Sequence, residues 1–171
     1  DWQEMVKINA TGFFPYTPAT NLLYGLKEAL AMLQEEGLDN VFARHKRLAG
    51  ACRAAVEAWG REVLCENPAE HSPVLTAVLM PPSHDADRFR KIALEKYNIS
   101  LGSGLGKVAG KVFRIGHLGE CNELSLLGAL SGVELGLSAA GVPHRSGGVA
   151  AAMASFEGQD HANEKAAAAG A

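Results

Sequence analysis

From about position 38 the chain switches repeatedly between a helical and an alternating apolar period, and this switching limits the fold more than any other feature. Val41, Phe42, Leu48, Ala49, Cys52, Val56 and Trp59 recur at helical spacing from about Asp39 until Gly60 stops the run. Glu62 to Cys65 is then apolar at alternate places, and Val74 to Met80 is an apolar run bounded by Pro73 and Pro81-Pro82; both read as strands. Helical spacing returns over Asp85 to Tyr97 through Phe89, Ile92, Ala93 and Lys96. Ile99 to Leu101 and Val112 to Ile115 read as two further strands, split by Gly102-Ser103-Gly104-Leu105-Gly106. Asn122 caps a last helix that fades at Gly141-Val142-Pro143. The order α-β-β-α-β-β-α predicts an α+β fold, a small and largely antiparallel sheet packed with helices.

Ahead of this block, Thr17 reads as an N-cap and Pro18 as the first residue of a helix carrying Leu22, Leu23, Leu26, Leu30 and Leu33 up to Gly37. After Pro143 the composition collapses to Ala, Gly, Ser and scattered charge, which predicts a disordered tail. The expected division is therefore residues 1–37 as the end of one domain with its linking helix, 38–143 as a small α+β domain, and 144–171 as the tail.

Of the 171 residues 47% are hydrophobic and 20% charged, enough for an ordinary core, and the net charge of −3 gives no basic field for nucleic acid or an anionic membrane. Cys52, Cys65 and Cys121 show no CxxC spacing, which argues against a disulfide framework or a zinc site and reads as small buried residues in a reducing compartment. The six histidines lack metal-ligand spacing. Leu124 to Val142 carries Gly128, Gly132 and Gly136 four apart, the small-residue pattern of packed membrane helices. Glu134 at its middle would cost roughly 3 kcal/mol in a bilayer. The run is better read as a helix laying a flat glycine face against a neighbouring element. Nothing resembles a leader or a peroxisomal signal, so cytoplasm is the expected compartment, and a start at Asp1 without Met reads as a piece of something longer.

Three segments could carry chemistry. A helix start near Thr17 offers N–H groups, a hydroxyl and the phenol of Tyr16 to an anion, although capping alone explains the threonine. Arg114, between apolar residues of a strand, either grips a carboxylate with its planar fork or makes a structural ion pair; spacing leaves both open. His117 follows three residues later, as a second cleft residue or a satisfied loop histidine. The glycines at 102–106 lack the lysine and following helix of a nucleotide loop and read as a hairpin-like connection. No GxSxG elbow supports a hydrolase.

GFFPYTPATNLLYGLKEAL at 12–30 and VFRIGHLG at 112–119 together resemble the serine–glyoxylate aminotransferases, class V members of the fold-type I pyridoxal-phosphate enzymes. The similarity runs from about residue 1 to about residue 143. It implies that residues 38–143 are their C-terminal small domain, preceded by an interdomain helix. It implies that Thr17 reaches the cofactor phosphate of the other subunit and that Arg114 binds the substrate α-carboxylate; Tyr16, beside Thr17, is a further cofactor-binding candidate offered by the residues alone. A tyrosine found three residues before that threonine in related alanine–glyoxylate enzymes is Phe14 here. The Schiff-base lysine, in a Ser-x-Lys-Gly-type segment, is expected upstream of Asp1; none of the lysines here has that context, and the fragment alone is expected to be inactive.

The implied function of the full-length protein is transfer of the amino group of serine to glyoxylate, giving glycine and hydroxypyruvate, by a homodimer or larger assembly acting on amino and keto acids. Alanine–glyoxylate or other class V transfer is an alternative. A cysteine desulfurase is disfavoured, since no cysteine lies between Cys65 and Arg114. The rival from another class is a non-catalytic α+β module that senses a small carboxylate through Arg114. The module should be a stable monomer, whereas the fragment reading predicts apolar surface left bare around Phe13, Phe14 and the leucine helix.

Overall fold

The computed structural model describes the backbone of residues 1–169 and the side chains of residues 1–159. Two compact units are present, Asp1–Val41 and Phe42–Ala171. The first holds α1 (Trp2–Asn9), capped by the Asp1 carboxylate on the Gln3 and Glu4 N–H groups, and α2 (Thr20–Glu36). Neither helix buries a residue. The expected start of α2 at Thr17-Pro18 is corrected. The Pro18 carbonyl accepts the Thr20 N–H at 2.8 Å in a tight turn, so helical bonding begins only with Leu23 N–H to Ala19 O. Ala19 holds the cap position with no side-chain bond, and Thr17 lies outside the helix.

α3 (Leu38–Ala58) continues into the second unit, followed by β1 (Leu75–Leu79), α4 (Ala86–Tyr97), β2 (Gly102–Ser103), β3 (Val112–Gly116), α5 (Glu123–Ala139) and α6 (Gly148–Ala169). The three strands form an antiparallel sheet in the order β1-β3-β2. The fold is thus the expected α+β, with a small antiparallel sheet. Asp85 and Asn122 cap α4 and α5 through their side chains, as such residues do where the first N–H groups lack partners.

Two strands differ from expectation. Residues 62–65 contribute only the bridge Val63↔Val78, flanked by Leu64 N–H to Ala77 O and Leu79 N–H to Glu62 O. Pairing expected at Ile99–Leu101 falls instead at Gly102–Ser103, because the Arg90 guanidinium takes the Leu101 carbonyl at 2.7 Å and Leu101 is buried in the core.

The core lies on one face of the sheet. Val78, Phe113 and Ile115 meet Leu48, Cys52, Val56 and Trp59 of α3, Phe89 and Ala93 of α4, and Leu126, Leu130, Val133 and Leu137 of α5. Two of the three spaced glycines of α5 rest on α4 and the segment after it, while Gly128 meets nothing: a Cβ on Gly132 would come within 3.0 Å of Ile99, and one on Gly136 within 3.1 Å of Ala93 and Phe89. No helix among the described residues is long and apolar enough to cross a membrane.

The tail expected to be disordered is corrected too. Residues 148–169 are helical, and Ala152 and Phe156 are buried in the core cluster. Alanine favours helix on its own, and a few anchored apolar residues suffice to dock one. Gly170 and Ala171 lie outside the described residues.

Candidate functional site

Arg114 occupies the middle of β3, the central strand. Strand alternation sends Phe113 and Ile115 into the core and turns Arg114 to the opposite face. Its cross-strand neighbours are Ala77 on β1 and Gly102 on β2. Both are small, and the Arg114 side chain is half-buried between them. Its Nε is buried and makes no hydrogen bond, and the side chain has no ion pair among the described residues. The structural ion pair left open by spacing is therefore not made within these residues. An unopposed, partly desolvated guanidinium with two terminal nitrogens is suited to a planar anion such as a carboxylate.

His117 does not share that face. Its ring is wholly buried, with Nδ1 3.1 Å from the Pro73 carbonyl and Nε2 3.0 Å from Thr76 Oγ1. A carbonyl only accepts, so Nδ1 carries the proton and Nε2 accepts from the Thr76 hydroxyl. Burial is the main cause that lowers the imidazole pKa below its usual value, with the Arg53 charge adding to it and the Pro73 bond opposing it. A neutral histidine with both nitrogens engaged is a pin between the ends of β3 and β1. The satisfied-histidine reading holds. The loop that follows is tied down as well: Arg44 donates to the carbonyls of Gly119 and Cys121, and His45 Nε2 accepts the Gly119 N–H.

Cys52 is buried beneath this sheet, and desolvation pushes its thiol up to about 11, the state of an inert packing residue. A cleft of about 210 Å3 lined by Arg53, Cys65, His71, Thr76 and Ala77 lies beside the edge segment; Arg114 is not among its lining residues.

Thr17 and Tyr16 lie in the first unit. Thr17 is exposed, and its hydroxyl has no partner among the described residues. Tyr16 is 70% exposed and its hydroxyl donates weakly to Glu4 at 3.4 Å. The Thr17 hydroxyl is thus available to an anion, whereas that of Tyr16 already donates to a carboxylate, and neither is part of a helix cap. Phe13 and Phe14 beside them are 73% and 59% exposed. Spacing alone could not find Gly102 and Ala77 as the neighbours of Arg114, because register depends on the connection between strands. The glycine cluster was the one visible signal.

In sequence and in fold alike, the chain is similar to aminotransferases. No family model matches it. It is 52% identical over 156 residues to the serine–glyoxylate aminotransferase of Methylorubrum extorquens, a match that covers 91% of this chain and 39% of that protein. The serine–glyoxylate aminotransferase of Arabidopsis thaliana is also 52% identical, over 154 residues, 89% of this chain and 38% of that protein. Among solved structures, pyridoxamine–pyruvate aminotransferase from Mesorhizobium loti superposes with a TM-score of 0.81 at 35% identity, over 86% of this chain and 38% of that one. The chain therefore spans about two fifths of the length of the relatives it matches.

Proposed function

We propose that these residues form part of a pyridoxal-phosphate aminotransferase that moves the amino group of serine to glyoxylate, with Arg114 as the grip on the substrate carboxylate. The observation that carries this reading is the half-buried guanidinium on the face opposite the core, whose Nε has no hydrogen-bond partner and which makes no ion pair among the described residues. Amino donor and keto acceptor both end in a carboxylate, so one grip serves both acids in turn. Held at two points in a partly desolvated place, the acid keeps one orientation of its α-carbon, which is the main help a binding residue can give to a proton transfer there.

Thr17 offers a hydroxyl with no partner among the described residues and Tyr16 one that donates to Glu4 at 3.4 Å, and the reading assigns both to the phosphate of a cofactor held by a second subunit in a homodimer or larger assembly. Pyridoxal phosphate, when bound, supplies the aldehyde that receives the amino group and a ring that accepts charge from the α-carbon. All seven described lysine side chains are exposed rather than enclosed in a site that could hold a cofactor ring. The covalent anchor is therefore assigned to a lysine elsewhere in the protein. Release of hydroxypyruvate from serine and glyoxylate by the full-length protein tests the proposal. Product that depends on both substrates and on added cofactor is expected, and transfer from alanine but not from serine would move the assignment to the alanine–glyoxylate alternative.

A further inference from the structure

We infer that Gly102 and Ala77 form a slot that fixes the path of the Arg114 side chain and so sets how tightly, and through which edge, the site holds a carboxylate. The inference rests on the reading of Arg114 as the carboxylate grip. The three residues lie side by side across the sheet, Ala77 on β1, Arg114 on β3 and Gly102 on β2. Directly opposed Cβ atoms on antiparallel strands usually stand about 4.5–5.5 Å apart. A Cβ placed on Gly102 would come 3.0 Å from Arg114 Cβ, 3.1 Å from its Nε and 3.5 Å from its Cζ. The arginine therefore does not stand up from the sheet. It leans across Gly102 and fills the volume that any other residue would occupy.

Two consequences follow for recognition. The Nε–H is buried against this floor without a partner, so it is withdrawn from the ligand. A carboxylate must then be met end-on by the two terminal nitrogens, which leaves a single planar approach. A side chain leaning into a slot is also ordered before the ligand arrives, and pre-ordering lowers the entropic cost of binding. Ala77 completes the slot on the other side with the smallest side chain that has a Cβ.

Gly102 has no left-handed φ, so alanine is allowed there by the backbone. Replacing a strand glycine by alanine ordinarily stabilises a protein slightly. That separates positioning from folding. In the full-length enzyme, Gly102→Ala should force Arg114 aside by a few tenths of an ångström. KM for serine and for glyoxylate should then both rise roughly three- to tenfold, with the change in KM rather than kcat, since small misplacements of a binding group already cost this much. Thermal stability and the cofactor absorption spectrum should be retained. Gly102→Val should raise both KM values further, and Ala77→Leu, tested alongside, should raise both from the other side should a Gly102 variant not fold. An unchanged KM for both acids in Gly102→Ala, or a rise for one acid alone, overturns the slot. Arg114→Ala serves as the reference: if it raises KM for both acids while the Gly102 and Ala77 variants do not, the grip stands and the slot fails. If Arg114→Ala itself leaves KM unchanged, the grip reading fails first.

Discussion

Arg114 and His117 are three residues apart, and the two-residue period of a strand sends them to opposite faces. The sequence could show that both were unusual places for polar residues, but not which face was covered, since that depends on where α3, α4 and α5 pack. Arg114 ends half-buried on the face opposite the core, free of partners among the described residues, while His117 is sealed behind Thr76 and the Pro73 carbonyl. Burial keeps His117 neutral when folded, with its pKa below the ordinary histidine value, whereas the unfolded chain protonates it near pH 6.5. The unfolded state then binds more protons, so this contribution is present above about pH 6.5 and is lost as pH falls from there towards the folded value. Urea midpoints measured across this range should decline below pH 6.5 in the native sequence. His117→Gln, which cannot titrate, should remove that part of the slope and cost about 1–3 kcal/mol at neutral pH through the lost buried hydrogen bonds.

At the scale of elements, α3, α4, α5 and two of the strands were legible because apolar spacing and capping residues agreed with each other. α2 was legible as a helix but not in its start, since a tight turn after Pro18 competes with capping by Thr17. α6 was missed because low complexity reads as disorder unless its docking partners are known. Those partners are distant in sequence. The Glu134 carboxylate of α5 accepts the Trp59 indole N–H at 2.8 Å and the Gly147 and Gly148 N–H groups at 2.9 and 3.0 Å. Arg145 donates to the Glu57 and Ala58 carbonyls at the end of α3, and the Arg47 guanidinium, paired with Glu123, lies 4.7 Å from the centre of the Phe156 ring. Burial pushes the Glu134 carboxyl up, and the bonds from Trp59 and the backbone N–H groups outweigh it, leaving the pKa below the usual carboxylate value. Its contribution is therefore present above about pH 4.5 and lost as pH falls through the lower folded value. Glu134→Ala, which strands three donors, should cost about 1–3 kcal/mol. Gly148→Ala should cost a similar amount, because its Cβ would fall 2.1 Å from the Trp59 indole nitrogen. Both losses are measurable by chemical denaturation, and an unchanged midpoint in either variant would contradict the docking described for α6.

At the scale of the whole molecule, the two units differ in how much they bury. The second has a closed core, whereas the first leaves Phe13, Phe14, Leu22, Leu23 and Leu26 more than half exposed. This is the bare surface expected of the fragment reading, and it sits poorly with a self-contained carboxylate-sensing monomer, for which contiguous apolar surface is a liability. The match to about two fifths of the length of serine–glyoxylate aminotransferases fits the same picture. The central claim is that Arg114 recognises the acid end of the substrate. It is tested most directly in the full-length enzyme by comparing serine with its uncharged amide, serinamide, in the native protein and in Arg114→Ala. A charge-assisted, two-point pair predicts that the substitution raises KM for serine roughly ten- to a hundredfold, about 1.5–3 kcal/mol, and leaves the weaker KM for serinamide nearly unchanged. An equal effect on both compounds, or none on serine, would contradict the account.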